Sequence, residues 1–71
     1  MNLIGPNIRK IRESKNMTQG QLVAKCNLVE FDISRSTLAK IESKCRRITD
    51  IEVVIFSKVL NVELDELFVN N

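Results

Sequence analysis

The sequence predicts an all-helical fold, and three helix starts built on one pattern predict it. In "MTQGQL", Thr18 is an N-cap with Gln21 three residues on, a capping box, and Met17 can fold onto Leu22 as a hydrophobic staple. "ITDIEV" repeats both devices, with Thr49 and Glu52 as the box and Ile48 and Val53 as the staple. "ISRSTL" has Ser34 as the cap and Ile33 with Leu38 as the staple, but Thr37 stands where the box would need Glu or Gln.

The first helix is announced by "GPN". Pro6 fits the first helical position, where a missing N–H costs nothing. Ile4, Ile8 and Ile11 then form a stripe at spacings of four and three. Asn16 can end that helix in the left-handed conformation, which gives a helix over residues 6–15. The second helix starts at Thr18 and carries Leu22, Val23 and Cys26 on one side. "CNLVEFDIS" has no Gly or Pro, so this helix stops near Asn27 or runs one more turn to about Glu30, the preferred reading, with Leu28 and Phe31 packing locally. The third helix covers residues 35–43.

"DIEVVIFSKVL" is ambiguous by propensity, because Val53, Val54 and Ile55 favour strands. Its capping box, its length and its neighbours predict a buried helix closed by Asn61. A short last helix over 63–68 puts Leu64, Leu67 and Phe68 on one side. The expected core is Ile8, Ile11, Leu22, Leu38, Ile41, Ile55, Val59 and Leu67, packed as one layer of five helices.

The composition narrows the function. In 71 residues the core is marginal, and the whole of 1–71 reads as one domain. There is no His, and Cys26 and Cys45 stand alone without a CxxC pair, so no metal is expected. The two thiols read as half-buried and free in a reducing compartment, with a redox switch or an intermolecular disulfide as the alternative. No signal peptide and no apolar run of membrane length are visible, so a cytoplasmic location is expected. An enzyme is not expected: the chain has no nucleophile beside a base and no Gly-rich phosphate loop. Asp65 and Glu66, as sequence neighbours, diverge on a helix and read as solvated surface.

The charge is divided. Residues 1–47 hold ten Lys or Arg against four acids, and residues 48–71 hold one Lys against five acids. A net charge of +2 thus conceals a basic block suited to a polyanion and an acidic block to be kept away from it.

The strip that carries this inference is in "SRSTLAKIES". Leu38 and Ile41 point inward. Arg35, Ser36, Ala39 and Lys40 fall on one outward strip with no acid. Arg can pair with the O6 and N7 of guanine, Ser can donate or accept, Ala can touch a thymine methyl, and Lys can reach guanine or phosphate. Thr18 and Gln19 begin the preceding helix, where backbone N–H groups and short polar side chains suit a phosphate. Two such helices joined by a turn form a helix-turn-helix.

"MTQGQLVAK", "ISRSTLAKIE" and "VLNVELDELF" together resemble the phage repressor and Cro-like helix-turn-helix family, the xenobiotic-response-element type. The resemblance runs from "IRKIRESK" to Phe68. It implies a five-helix lambda-repressor-like fold that binds a roughly palindromic double-stranded operator as a homodimer. It also implies base contacts by Arg35, Ser36 and Lys40, with Ala39 nearby and Thr37 beside them at the phosphates. Phosphate contacts by Thr18, Gln19, Lys44, Arg46 and Arg47 follow in the same way, as does an ion pair between Arg12 and Glu42.

Two departures from the family pattern stand out. "LVEFD" lengthens the connection between the second and third helices, with Asn27 where Gly is common. In "ESKCRR", Lys44 must take a backbone position that Gly often fills.

The expected function is a DNA-binding transcriptional regulator, a repressor of phage or mobile-element type, with an antitoxin that represses its own operon as a variant. No cofactor and no small-molecule ligand are expected. The alternative is a protein-interaction module that keeps the fold without specific DNA binding. A dimer contact through Leu64, Phe68 and Val69 would space two recognition helices by about 34 Å, one turn of DNA.

Overall fold

The three N-caps set the frame of the molecule. In the computed structural model, which describes residues 4–68, they open α2 (Gln19–Leu28), α3 (Arg35–Glu42) and α4 (Asp50–Leu60). α1 (Ile4–Ser14) precedes them and a single turn, α5 (Leu64–Leu67), follows. The Thr18 hydroxyl accepts from the Gln21 N–H at 3.1 Å while the Gln21 side chain accepts from the Thr18 N–H at 2.8 Å. Thr49 and Glu52 repeat the box at 3.2 and 2.9 Å. Ser34 accepts from the Thr37 N–H alone, at 3.1 Å. α1 begins two residues before Pro6, which the first turn tolerates because its N–H groups have no intrahelical acceptor.

Each of the four longer helices ends in the same way. Asn16, Glu30, Lys44 and Asn61 have φ of 56°, 64°, 70° and 57°, the left-handed region that Gly usually fills. The paired backbone bonds of a Schellman motif surround each: Phe31 N–H to Cys26 O at 2.9 Å and Glu30 N–H to Asn27 O at 3.0 Å close α2. Glu30, not Asn27, therefore takes the left-handed position, and α2 stops at Leu28 without the extra turn. Leu28 does not pack locally: it is 83% exposed. Phe31 turns back into the molecule and meets Phe56 edge to face, with ring centroids 5.6 Å apart.

Ile8, Leu22, Cys26, Ile33, Leu38, Ile41, Val53, Phe56, Leu60 and Leu67 form the core. Ile11 and Val59 pack against it, whereas Ile55, expected in the core, is half-buried and belongs to neither group. The inward phase of α4 runs through Val53, Phe56, Ser57 and Leu60, which displaces Ile55 from the role its sequence neighbours suggested. The two thiols differ sharply. Cys26 lies in the core, where burial pushes its thiol up to about 11, and Cys45 is exposed. α3 packs on α1 and α2, and α4 on α1, α2 and α5. The Asn7 amide donates to Leu67 O at 2.9 Å and ties α1 to the end of α5.

Two ion pairs hold α3 and its exit. Arg12 Nε and Nη2 donate to the two carboxylate oxygens of Glu42 at 2.7 and 3.1 Å, with side chains 8% and 3% exposed. Arg46, in the loop after α3, donates through Nη1 and Nη2 to Glu52 at 3.1 and 2.9 Å. The Arg46 hydrogen bond holds the Glu52 carboxyl below its ordinary value.

Three outcomes follow for stability. Glu42→Ala leaves the Arg12 charge buried without its partner and should cost about 3–5 kcal/mol. Glu30→Ala, at an exposed residue, should cost well under 1 kcal/mol. Equal melting temperatures for the two variants would contradict the role given to the pair. Glu30→Gly should raise the melting temperature. It removes a left-handed penalty of about 1–2 kcal/mol and adds a glycine entropy cost of about 0.5–1 kcal/mol. The Glu52 carboxyl titrates lower in the folded chain than in the unfolded one, so its pair contributes fully at neutral pH and is lost as pH falls through the folded value. Thermal melts on acidification should therefore show wild type losing more stability than Glu52→Gln, which keeps the capping geometry.

Candidate nucleic-acid interface

α3 turns Leu38 and Ile41 into the core, and its helical phase then fixes what faces outward. Arg35, Ser36 and Lys40 are exposed, and Thr37 and Ala39 are half-buried at the edges of the strip. Thr37 belongs to the helix start: the Ser34 hydroxyl donates to its oxygen at 3.1 Å, beside the backbone cap. Arg35 and Lys40 have no ion-pair partner among the described residues. Their charges are unspent.

The start of α2 meets the start of α3. A Cβ built on Gly20 would come within 3.8 Å of Arg35 Cδ, so the aliphatic part of Arg35 lies across this turn. Thr18, Gln19, Arg35 and Ala39 line one open groove, and the Arg12–Glu42 pair lines it with them. The capping box uses the Thr18 hydroxyl and the Gln21 N–H, which leaves the N–H groups of Gln19 and Gly20 at the helix mouth. The Gln19 side chain is fixed by donating from Nε2 to Glu42 Oε1 at 3.1 Å. Its carbonyl oxygen and second N–H remain to bond outward.

Glu42 is the one acid of α3, and it is 5% exposed with its oxygens occupied by Arg12 and Gln19. The surface that carries Arg35 therefore has no free carboxylate of α3 to repel a phosphate. Beyond α3, the left-handed Lys44 reverses the chain and places the basic segment 44–47 next to the helix end. Lys44 and Arg47 are exposed. Arg46 has a partner that the sequence did not point to: Glu52 holds its guanidinium, and Nη1 also donates to Arg47 O at 3.0 Å. It braces the loop against the start of α4.

Arg12 is bound by more than Glu42. Its Nη1 donates to Met17 O at 2.7 Å, so one guanidinium joins α1, the turn before α2, and α3. The sequence missed two further features of this surface. One is the Gln19 bond to Glu42, which depends on how α2 and α3 meet. The other is Arg9, which lines the same groove one helical turn before Arg12, and that spacing was a readable signal.

Of the residues named for a dimer contact, Leu64 and Phe68 are 41% and 58% exposed, and Val69 lies outside the described residues. Among the described residues no three His, Cys, Asp or Glu side chains gather in a way that could hold a metal ion. No described helix is long and apolar enough to cross a membrane.

A helix that presents cationic and hydroxyl side chains, set against a second helix whose N-terminus opens beside it, can bond base edges and phosphates together. The comparison with known families agrees with that geometry. The helix-turn-helix family model matches residues 8–67, from the first core isoleucine of α1 to the last residue of α5. No curated protein and no solved structure gives a match. With five helices, a lambda-repressor-like arrangement and this match over most of its length, the chain belongs to the Cro/C1-type helix-turn-helix family of DNA-binding regulators.

Proposed function

We propose that this chain is a sequence-specific repressor of phage or mobile-element type that acts in the cytoplasm, with residues 1–71 serving as one DNA-binding unit. α3 enters the major groove. Arg35, Ser36 and Lys40 read base edges, with Ala39 against a thymine methyl. Thr18, Gln19, Thr37, Lys44 and Arg47 hold phosphates, and Arg46 adds its charge from the brace it makes with Glu52. The observation that carries this reading is the unspent Arg35 and Lys40 on an acid-free face, with the acid of α3 closed off by Arg12 and Gln19. The operator is two-fold related and is bound by a homodimer. Exposed Leu64 and Phe68 supply the apolar surface for that contact, with Val69 following them in sequence.

One observation favours a second reading. Leu28 and Val29 are 83% and 53% exposed at the α2–α3 connection, a place where an apolar pair could bind a partner protein. In that reading the chain keeps the fold and has no sequence preference.

Selection of duplexes from a random DNA library at about 0.15 M salt separates the two, because phosphate binding without base contacts is weak there. Wild type should enrich a two-fold motif with half-sites one turn apart. Arg35→Ala should lose a guanine preference at one position of each half-site, a discrimination of about 1–3 kcal/mol. Equal profiles for the two proteins, with no enriched motif, would favour the partner-binding reading.

A further inference from the structure

Arg9 and Lys10 are exposed on α1 and serve neither the core nor the buried pair. Both border α3. Arg9 lines the groove that also contains Gln19, Arg35 and Ala39. With Lys10 it also lines a second groove, whose other side is Ser43 and Lys44 just past the end of α3. Arg9 therefore stands at the junction between the base-facing strip and the basic segment that follows it.

Glu42 contributes to both grooves. Its carboxylate is already neutralised by Arg12 and capped by Gln19. Cations predominate on the sides of both grooves, with the exposed Glu13 also lining the second, and no buried carboxylate is left to oppose an anion there. Among the described residues Arg9 has one ion-pair partner, Glu13 at 3.4 Å, with the two side chains 59% and 54% exposed. That distance is long for a charge-assisted bond, and an exposed pair of this kind holds its members weakly. A phosphate can displace Glu13 from the guanidinium, at a cost that is small but subtracts from the affinity.

We propose that Arg9 and Lys10 form a phosphate clamp on α1 that grips the DNA backbone bordering the C-terminal end of α3, in line with Lys44. The clamp rests on the DNA-binding reading above and extends it to a helix outside the helix-turn-helix. It supplies affinity and orientation, because contacts to phosphates carry no base identity. Glu13 limits the clamp by competing for Arg9, so binding to any duplex is weaker than the cations alone would give.

The test is binding to two duplexes of equal length, the motif enriched by wild type and a shuffled version of it, over a range of salt concentrations. Arg9→Gln and Lys10→Gln should each make the plot of log affinity against log salt shallower by about 0.9, the value for one lost phosphate contact on B-form DNA. Each should weaken both duplexes by the same factor and leave the preferred motif and the melting temperature unchanged. Glu13→Gln should tighten both duplexes equally. A wild-type protein that binds its motif, with unchanged slope in Arg9→Gln and Lys10→Gln, overturns the clamp and leaves the operator-binding reading standing. A change of motif in Arg9→Gln also overturns it, since the residue would then be reading bases. A wild-type protein that binds neither duplex overturns both readings.

Discussion

The buried pair of Arg12 and Glu42 is the constraint on which the rest of this molecule depends. Removing two charges from water costs several kcal/mol per ion, and attraction offsets this only when the remaining donors and acceptors are satisfied. Here they are. Arg12 donates twice to Glu42 and once to Met17 O, and Glu42 also accepts from Gln19. Among the described residues no buried side-chain nitrogen or oxygen lacks a hydrogen-bond partner. The Met17 N–H returns a bond to Arg12 O at 3.1 Å, so the turn that closes α1 and the guanidinium inside it fix each other. Four pieces meet at this point: α1, the α1–α2 turn, the start of α2 and the end of α3. A helix of eight residues has little independent stability. This junction, with Leu38 and Ile41 in the core, is what gives α3 a fixed direction.

The same pair sorts the charges. An acid on α3 is required to anchor it, yet a free acid there would oppose DNA. Burial against Arg12 meets both demands. At the other end of the basic segment Glu52 does three things together: it completes the cap of α4, lies at the positive end of that helix, and braces Arg46. Glu66 accepts from the Glu63 N–H at 2.9 Å at the start of α5. Part of the acidic C-terminal block is therefore committed to helix starts, and the cations with no ion-pair partner on the described surface include Arg35, Lys40 and Lys44 around α3.

What could be read from the sequence was local. Thr18 with Gln21, Ser34, and Thr49 with Glu52 each act within four residues, and each caps a helix. Asn16 and Asn61 mark two helix ends for the same reason, whereas the left-handed place of Lys44 followed from the family pattern and not from the residue itself. The end of α2 was hidden because Glu30 carries no composition signal for the left-handed state. It is held there by the closing bonds around it and by Phe31 reaching Phe56, a contact across 25 positions. The phase of α4 was hidden for a similar reason. Its Val, Ile and Phe run offers several apolar faces, and only packing on α1 and α2 chooses the one through Phe56. The outward strip of α3 was legible because it is what remains once Leu38 and Ile41 are assigned inward. The partners of Gln19 and Arg46 were not, because each is set by how separate elements meet.

Whether α3 is a fixed platform whose outward strip meets DNA can be measured by following amide chemical shifts during titration with the enriched duplex. The largest changes should fall at Thr18 to Gly20, Arg35 to Lys40 and Lys44 to Arg47, with the amides of Arg12 and Glu42 keeping one folded environment throughout. Changes concentrated at Leu28 and Val29, with Arg35 to Lys40 unmoved, would contradict that role for α3.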